Sequence, residues 1–157
     1  MPASENKNKK DIPLNTAALY DLAHRRAIDV YNYPLEQVPS LSIMDNRGSC
    51  AVGIRTNLSA REEHVCLAHE MGHCVTGAFY RVGTSGAVRG KSEYKADKWA
   101  IYHLVPPAAL KQALREGLMQ VWQLCEQFDV TEDFMRKALD FYACVRPEIF
   151  EEVSDYV

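Results

Sequence analysis

Ser59-Ala-Arg-Glu-Glu-His-Val-Cys-Leu-Ala-His-Glu-Met-Gly-His73 opens with a helix-start signature and closes with two histidines four residues apart. Ser59 and Glu62 have the S-x-x-E spacing of a capping box, in which each side chain satisfies a backbone N–H left open at a helix N-terminus. Val65, Leu67, Ala68 and His73 continue at helical spacing, and Gly77 supplies a stop, so the segment predicts a helix from about residue 60 to Gly77. At roughly 100° per residue, positions four apart lie about 40° from each other. His69 and His73 therefore project from one face and can share a cation, while Glu70 stands beside that face. Two neutral imidazoles, an open position for water and a carboxylate base are what a zinc hydrolase requires. With 5 His and 12 Glu in 157 residues, an H-E-x-x-H is expected by chance only about 0.01 times.

A three-ligand hydrolytic site needs one more donor. Glu93, in Glu93-Tyr-Lys-Ala-Asp97, is placed to supply it from a second helix expected to start near Ser92 and stop before Pro106-Pro107. Asp97, four residues on, can accept the free N–H of a ligand imidazole and fix its tautomer. A solvated face interleaved with Lys91, Lys95 and Lys98 is the plain alternative for both acids, and the neighbouring histidine motif outweighs it.

Leu67-Ala-His-Glu-Met-Gly-His73, Glu93-Tyr-Lys-Ala-Asp97-Lys-Trp-Ala100 and the following Leu104-Val-Pro106 resemble the ImmA/IrrE family of zinc-dependent metallopeptidases. A weaker likeness extends across most of residues 12 to 145. The resemblance implies an α+β fold with a small zincin-like core, made of a short sheet, the H-E-x-x-H helix and a second ligand helix. It implies Zn2+ held by His69, His73 and Glu93, with Glu70 as the catalytic base. The implied substrate is an intracellular regulatory protein, a helix-turn-helix repressor of a phage or other mobile element. Lys95 and Trp99 stand where the family favours acidic and phenylalanine residues, departures that leave the ligand set intact. Tyr80, Tyr94, Tyr102 and His103 are sequence neighbours able to stabilise a developing oxyanion, and nothing in the sequence chooses among them.

A competing metal reading uses Cys66, three residues before His69 on the same face, whose thiolate would complete a closed structural zinc site. Five cysteines, an odd number with no C-x-x-C, in a chain without an apolar signal segment, read as reduced thiols of a cytoplasmic protein. Cys74 points about 100° away from His73, which suggests packing.

Around these motifs, residues 1–11 read as a flexible tail, residues 12–106 as the metallopeptidase core, and residues 107–157 as a helical segment packed on it. A first helix is expected from a cap at Asn15 or Thr16 to about Ala27, followed by a strand at Ile28-Asp-Val30. Leu41-Ser-Ile43 and Val52-Gly-Ile54 alternate on either side of Asp45-Asn-Arg-Gly48, a hairpin pattern. If it forms a sheet edge beside the metal helix, the Cys50–Ile54 strand would pair with an extended substrate. Gly83, Gly86 and Gly90 mark residues 81–92 as a connector.

The length fits one compact domain or a small domain with an appendage, and 47% apolar with 25% charged residues describes a folded soluble protein. No apolar run approaches the roughly 18 residues needed to span a bilayer. The net charge of −3 offers no general grip on nucleic acid or anionic membrane. Residues 121–139 have helix-turn-helix spacing, with Asp129 where the turn usually has glycine. Yet residues 107–157 carry 5 basic and 10 acidic side chains, so phosphate would be repelled and direct nucleic-acid binding is not expected. The rival to the peptidase is a non-enzymatic, metal-stabilised interaction protein or helix-turn-helix regulator. Glu70 favours the enzyme, because a closed structural site has no use for a base. The oligomeric state has no signature in the sequence.

Overall fold

In the computed structural model, residues 14–80 and 83–151 are described. They form a mixed α+β architecture in the order α1 (Leu14–Arg25), β1 (Asp29–Tyr33), β2 (Ser40–Met44), β3 (Cys50–Arg55), α2 (Ala60–Thr76), α3 (Gly86–Leu104), α4 (Pro107–Arg115), α5 (Val121–Phe128), α6 (Glu132–Val145) and α7 (Glu148–Glu151). The expected tail, residues 1–11, lies outside the described residues. The chain divides into two compact units, residues 1–100 and 101–157, with α3 passing from the first to the second. No helix among the described residues is long and apolar enough to cross a membrane.

The hairpin forms as expected, with β2 antiparallel to β3 and Ser40 opposite Ile54, Ser42 opposite Val52 and Met44 opposite Cys50. Its turn is held by the Asp45 carboxylate, which accepts from the backbone N–H of Arg47 and Ser49 at 2.8 and 2.9 Å. Gly48 takes φ 81°, a left-handed conformation in which a Cβ would be strained. The order differs from the expectation in one respect. β1 pairs in parallel on the far side of β3, giving β1-β3-β2, so Cys50–Arg55 is the central strand and β2 is an edge. The cause lies in β3 itself. Val52 and Ile54 are fully buried on one face and both ladders of the strand are paired, as suits its apolar β-branched residues.

α2 begins with the complete capping box, Ser59 N–H donating to Glu62 at 2.8 Å and Glu62 N–H to the Ser59 hydroxyl at 3.2 Å. It ends at Gly77, left-handed at φ 66°. Leu67, Ala68 and Met71 are fully buried. α1 starts at Leu14, so Asn15 and Thr16 lie within its first turn rather than capping it, and Thr16 is completely buried.

α3 also starts earlier than its composition suggested, at Gly86 rather than near Ser92, and takes Gly90 into its interior. Ser85 marks that start, its carbonyl accepting from Arg89 N–H at 3.1 Å and its hydroxyl from Val88 N–H at 3.5 Å. The glycines cost helix propensity but do not forbid the conformation, and the buried Ala96 and Ala100 further along secure the helix. α2 and α3 touch backbone to backbone at Gly72. A Cβ there would lie 2.5 Å from the Ala96 carbonyl oxygen and 2.9 Å from its Cα.

The cysteines correct the expectation of free thiols. Cys50 and Cys74 form a disulfide with Cα atoms 5.8 Å apart, while Cys66, Cys125 and Cys144 are in no disulfide. The rotation that takes Cys74 off the ligand face turns it to the sheet, where Cys50 lies on the buried side of β3. Neither spacing nor motif announced the pair.

The second unit is helical. Leu110, Leu124, Val130, Met135 and Tyr142 are buried in it, and the Tyr142 hydroxyl donates to the Val105 carbonyl at 2.6 Å. α5 and α6 form a helix-turn-helix pair, and Asp129 between them adopts the left-handed φ 54° usual for a turn glycine. Between α4 and α5 the chain turns at Gly117, φ 88°, and Trp122 is exposed.

Gly72→Ala should lower stability by roughly 1–3 kcal/mol, since the obstruction is backbone and cannot swing aside. Cys74→Ser should lower it by about 2–4 kcal/mol, the range expected for a loop of this size. Denaturant unfolding of oxidised protein measures both, and thiol counting under denaturation should find three free groups in the wild type.

Candidate metal centre

His69 and His73 lie one turn apart on α2 with ring centroids 4.9 Å from each other. Each ring is held through Nδ1. His69 Nδ1 is 2.9 Å from Asp97 Oδ1 on α3. His73 Nδ1 hydrogen-bonds the Ala78 carbonyl, just beyond the left-handed turn at Gly77. The same carbonyl accepts the buried hydroxyl of Ser92, which ties the turn to α3.

With Nδ1 donating in both rings, both Nε2 atoms present lone pairs to the same place. They converge on one carboxylate, His69 Nε2 at 2.9 Å from Glu93 Oε2 and His73 Nε2 at 3.3 Å from Glu93 Oε1. Lone pairs facing lone pairs at these distances repel unless a proton or a cation lies between them. One donor atom from each of the three residues falls within 4.8 Å of the others. A tetrahedral ion with bonds of about 2.0–2.2 Å spaces its ligands about 3.3–3.6 Å apart, so the set fits a small divalent cation. Burial opposes charge on His69, but the hydrogen bond and charge of Asp97, joined by Glu70 and Glu93, hold its pKa above the ordinary value. The pocket thus favours positive charge.

Glu70 is buried, and its Oε1 accepts from the Ser40 hydroxyl on β2 at 2.8 Å. Its charge acts on His69 and Tyr80, which places it at the same pocket. Cys66 stands apart from the ligand cluster. Burial pushes its thiol upward in pKa, and the Glu70 and Glu62 charges add to this against its Ser40 hydrogen bond. Among the described residues the cluster comprises His69, His73 and Glu93 without Cys66, so the Cys66 alternative is not assembled.

All five singled-out residues, His69, Glu70, His73, Glu93 and Asp97, gather around this pocket. Three contributors escaped the sequence reading: Ser40, the Ala78 carbonyl and Ser92. Ser40 was not recoverable from alternation, which favours Leu41 and Ile43 for the buried face, whereas the register sets Ser40 opposite Ile54 and leaves those two exposed. The other two depend on the path of the turn after Gly77. Of the four candidate oxyanion donors, Tyr80 hydrogen-bonds Glu93, Tyr94 and His103 are exposed, and Tyr102 packs edge-on to Phe141 and Tyr142 in the second unit. No protein-family model matches the chain, and no curated protein matches it.

Stoichiometric zinc binding, measured by competition with a chromophoric chelator, should be retained in Cys66→Ser and lost in Glu93→Ala. Asp97→Asn should weaken it about 10- to 100-fold.

Proposed function

We propose that this chain is a zinc-dependent endopeptidase with a zincin-like core, of the ImmA/IrrE type its motifs resemble. In this reading it cleaves an intracellular regulatory protein, a helix-turn-helix repressor of a mobile element. The observation that carries the proposal is the convergence of both Nε2 atoms on Glu93 beside a buried, hydrogen-bonded Glu70. His69, His73 and Glu93 would hold the ion. When bound, zinc supplies a Lewis acid that polarises a carbonyl and makes water a better nucleophile.

The remaining work falls to the protein's own groups. Asp97 and the Ala78 carbonyl keep both imidazoles in the tautomer that exposes Nε2. Glu70 takes a proton from the attacking water as the new C–O bond forms, then delivers it to the amine as the C–N bond breaks. Ser40 orients that carboxylate through the oxygen it binds, leaving the other for the proton. β2 is the sheet edge that Ser40 belongs to, so an extended peptide pairing with it would lie next to Glu70.

Cytoplasmic action belongs to this reading, and the Cys50–Cys74 bond is the observation that sits least easily with it, since cytosolic thiols are generally kept reduced. The α5–Asp129–α6 pair supports the rival reading of a helix-turn-helix regulator, against which stands the acidic balance of residues 107–157.

Incubation of the purified protein with a panel of purified helix-turn-helix repressors, with and without chelator, tests the proposal. Cleavage should appear only without chelator. Glu70→Gln should keep its zinc while cleavage falls by about 10²–10⁴-fold. Full chelator-sensitive activity in that variant would remove Glu70 from the role.

A further inference from the structure

Peptide hydrolysis moves an electron pair onto the carbonyl oxygen as water adds to the carbon, and that oxygen needs a hydrogen-bond donor placed in advance. Among the described residues, Tyr80 brings a phenol to the neighbourhood of the triad. The left-handed turn at Gly77 sends the chain back along the ligand face of α2, so three successive residues meet His73 or its surroundings. Ala78 accepts from His73 Nδ1, the Phe79 ring lies 5.9 Å from the imidazole, and the Tyr80 ring lies 6.5 Å from it at an interplanar angle of 71°. The Tyr80 hydroxyl reaches Glu93. From the other side, the Arg89 guanidinium on α3 sits 5.7 Å from the centre of the Tyr80 ring, a cation–π contact that limits where the ring can go.

Two features separate Tyr80 from a packing residue. It remains 42% exposed, unlike its neighbour Ala78, so its polar end is open to an incoming ligand. Its partner is also replaceable. Glu93 has two oxygens already directed at the two Nε2 atoms, and their lone pairs are the ones a cation would take. A phenol relieved of that partner has its O–H available to an oxygen seated beside the triad.

We propose that Tyr80 is the donor that stabilises the developing oxyanion in the hydrolysis described above, an assignment that rests on the peptidase reading. Water adds to the carbonyl carbon and gives one proton to Glu70. The former carbonyl oxygen carries the displaced pair and accepts the Tyr80 O–H bond. When the pair returns, the C–N bond breaks and the amine leaves with the proton from Glu70, so one water is consumed and no other reactant is needed.

Tyr80→Phe removes only the hydroxyl and keeps the ring against Arg89. With zinc-loaded protein and the repressor that the wild type cleaves, kcat should fall about 10²–10³-fold while KM changes less than about threefold. Zinc affinity by chelator competition should stay within about twofold, and the unfolding midpoint should be unchanged. Wild-type-like kcat would overturn the assignment. A tenfold or greater loss of zinc affinity would also overturn it, by showing that Tyr80 serves Glu93 instead. If the wild type itself cleaves no repressor in the panel, the peptidase reading fails and this assignment with it, a result distinct from cleavage that is indifferent to Tyr80.

Discussion

The approach of α3 to α2 at Gly72 is the constraint on which the site depends. No side chain fits between Gly72 and Ala96, so the helices can meet backbone to backbone there. Glu93 and Asp97 lie three residues before and one residue after Ala96, on the turns that flank the contact. Gly72 stands between the two histidines. The closest approach of the helices therefore falls inside the motif, and the short reach of a glutamate and an aspartate suffices to meet both rings. Even a methyl group at position 72 would lie 2.5 Å from the Ala96 carbonyl oxygen, so α3 would have to move outward and carry Glu93 and Asp97 away from the rings.

Holding two imidazoles in one tautomer requires two separate acceptors, because the rings differ by a turn of helix and no single group reaches both Nδ1 atoms. The protein uses a charged acceptor for the half-exposed ring and a neutral one for the buried ring. Asp97 meets His69, whose surroundings still admit solvent, whereas His73, only 5% exposed, meets the Ala78 carbonyl. The carbonyl lets the buried Nδ1 of His73 be satisfied without a further carboxylate being stripped of water on that side of the ring. The Ser92 hydroxyl on the same carbonyl adds a second partner, so the turn after Gly77 is fixed from α2 and α3 together.

How much of this could be read from the chain follows the range of each interaction. The capping box at Ser59, the left-handed stop at Gly77 and the facing of His69 and His73 are set within one helix, and their spacing announces them. The hairpin is almost as local, because Asp45 and Gly48 organise their own turn. The pairing of Glu93 and Asp97 with the histidines needed a second helix to dock, and only the residue types hinted at it. The strand order, the Cys50–Cys74 bond and the Ser40–Glu70 hydrogen bond were not legible, because each joins segments more than 20 residues apart through a packing arrangement that spacing does not encode. The early start of α3 was obscured for a different reason. Gly86 and Gly90 argue locally for a loop, and the buried alanines that secure the helix lie one to four turns further on.

Those long-range links share a purpose in the architecture. Cys74 attaches the C-terminal part of α2 to the start of β3, and Ser40 attaches Glu70 to the start of β2; in the hairpin register these attachments lie at opposite ends of the paired strands. Two separated points define the rotation of a helix on a sheet, which one point leaves free. The direction of the Glu70 carboxylate relative to the imidazoles depends on that rotation. The base is consequently aimed by the sheet, the ligands by α3, and α2 carries both sets of groups between them. Packing α2 against the two partners from different sides lets a buried carboxylate and two imidazoles face one pocket without a hydrogen bond joining Glu70 directly to either ring.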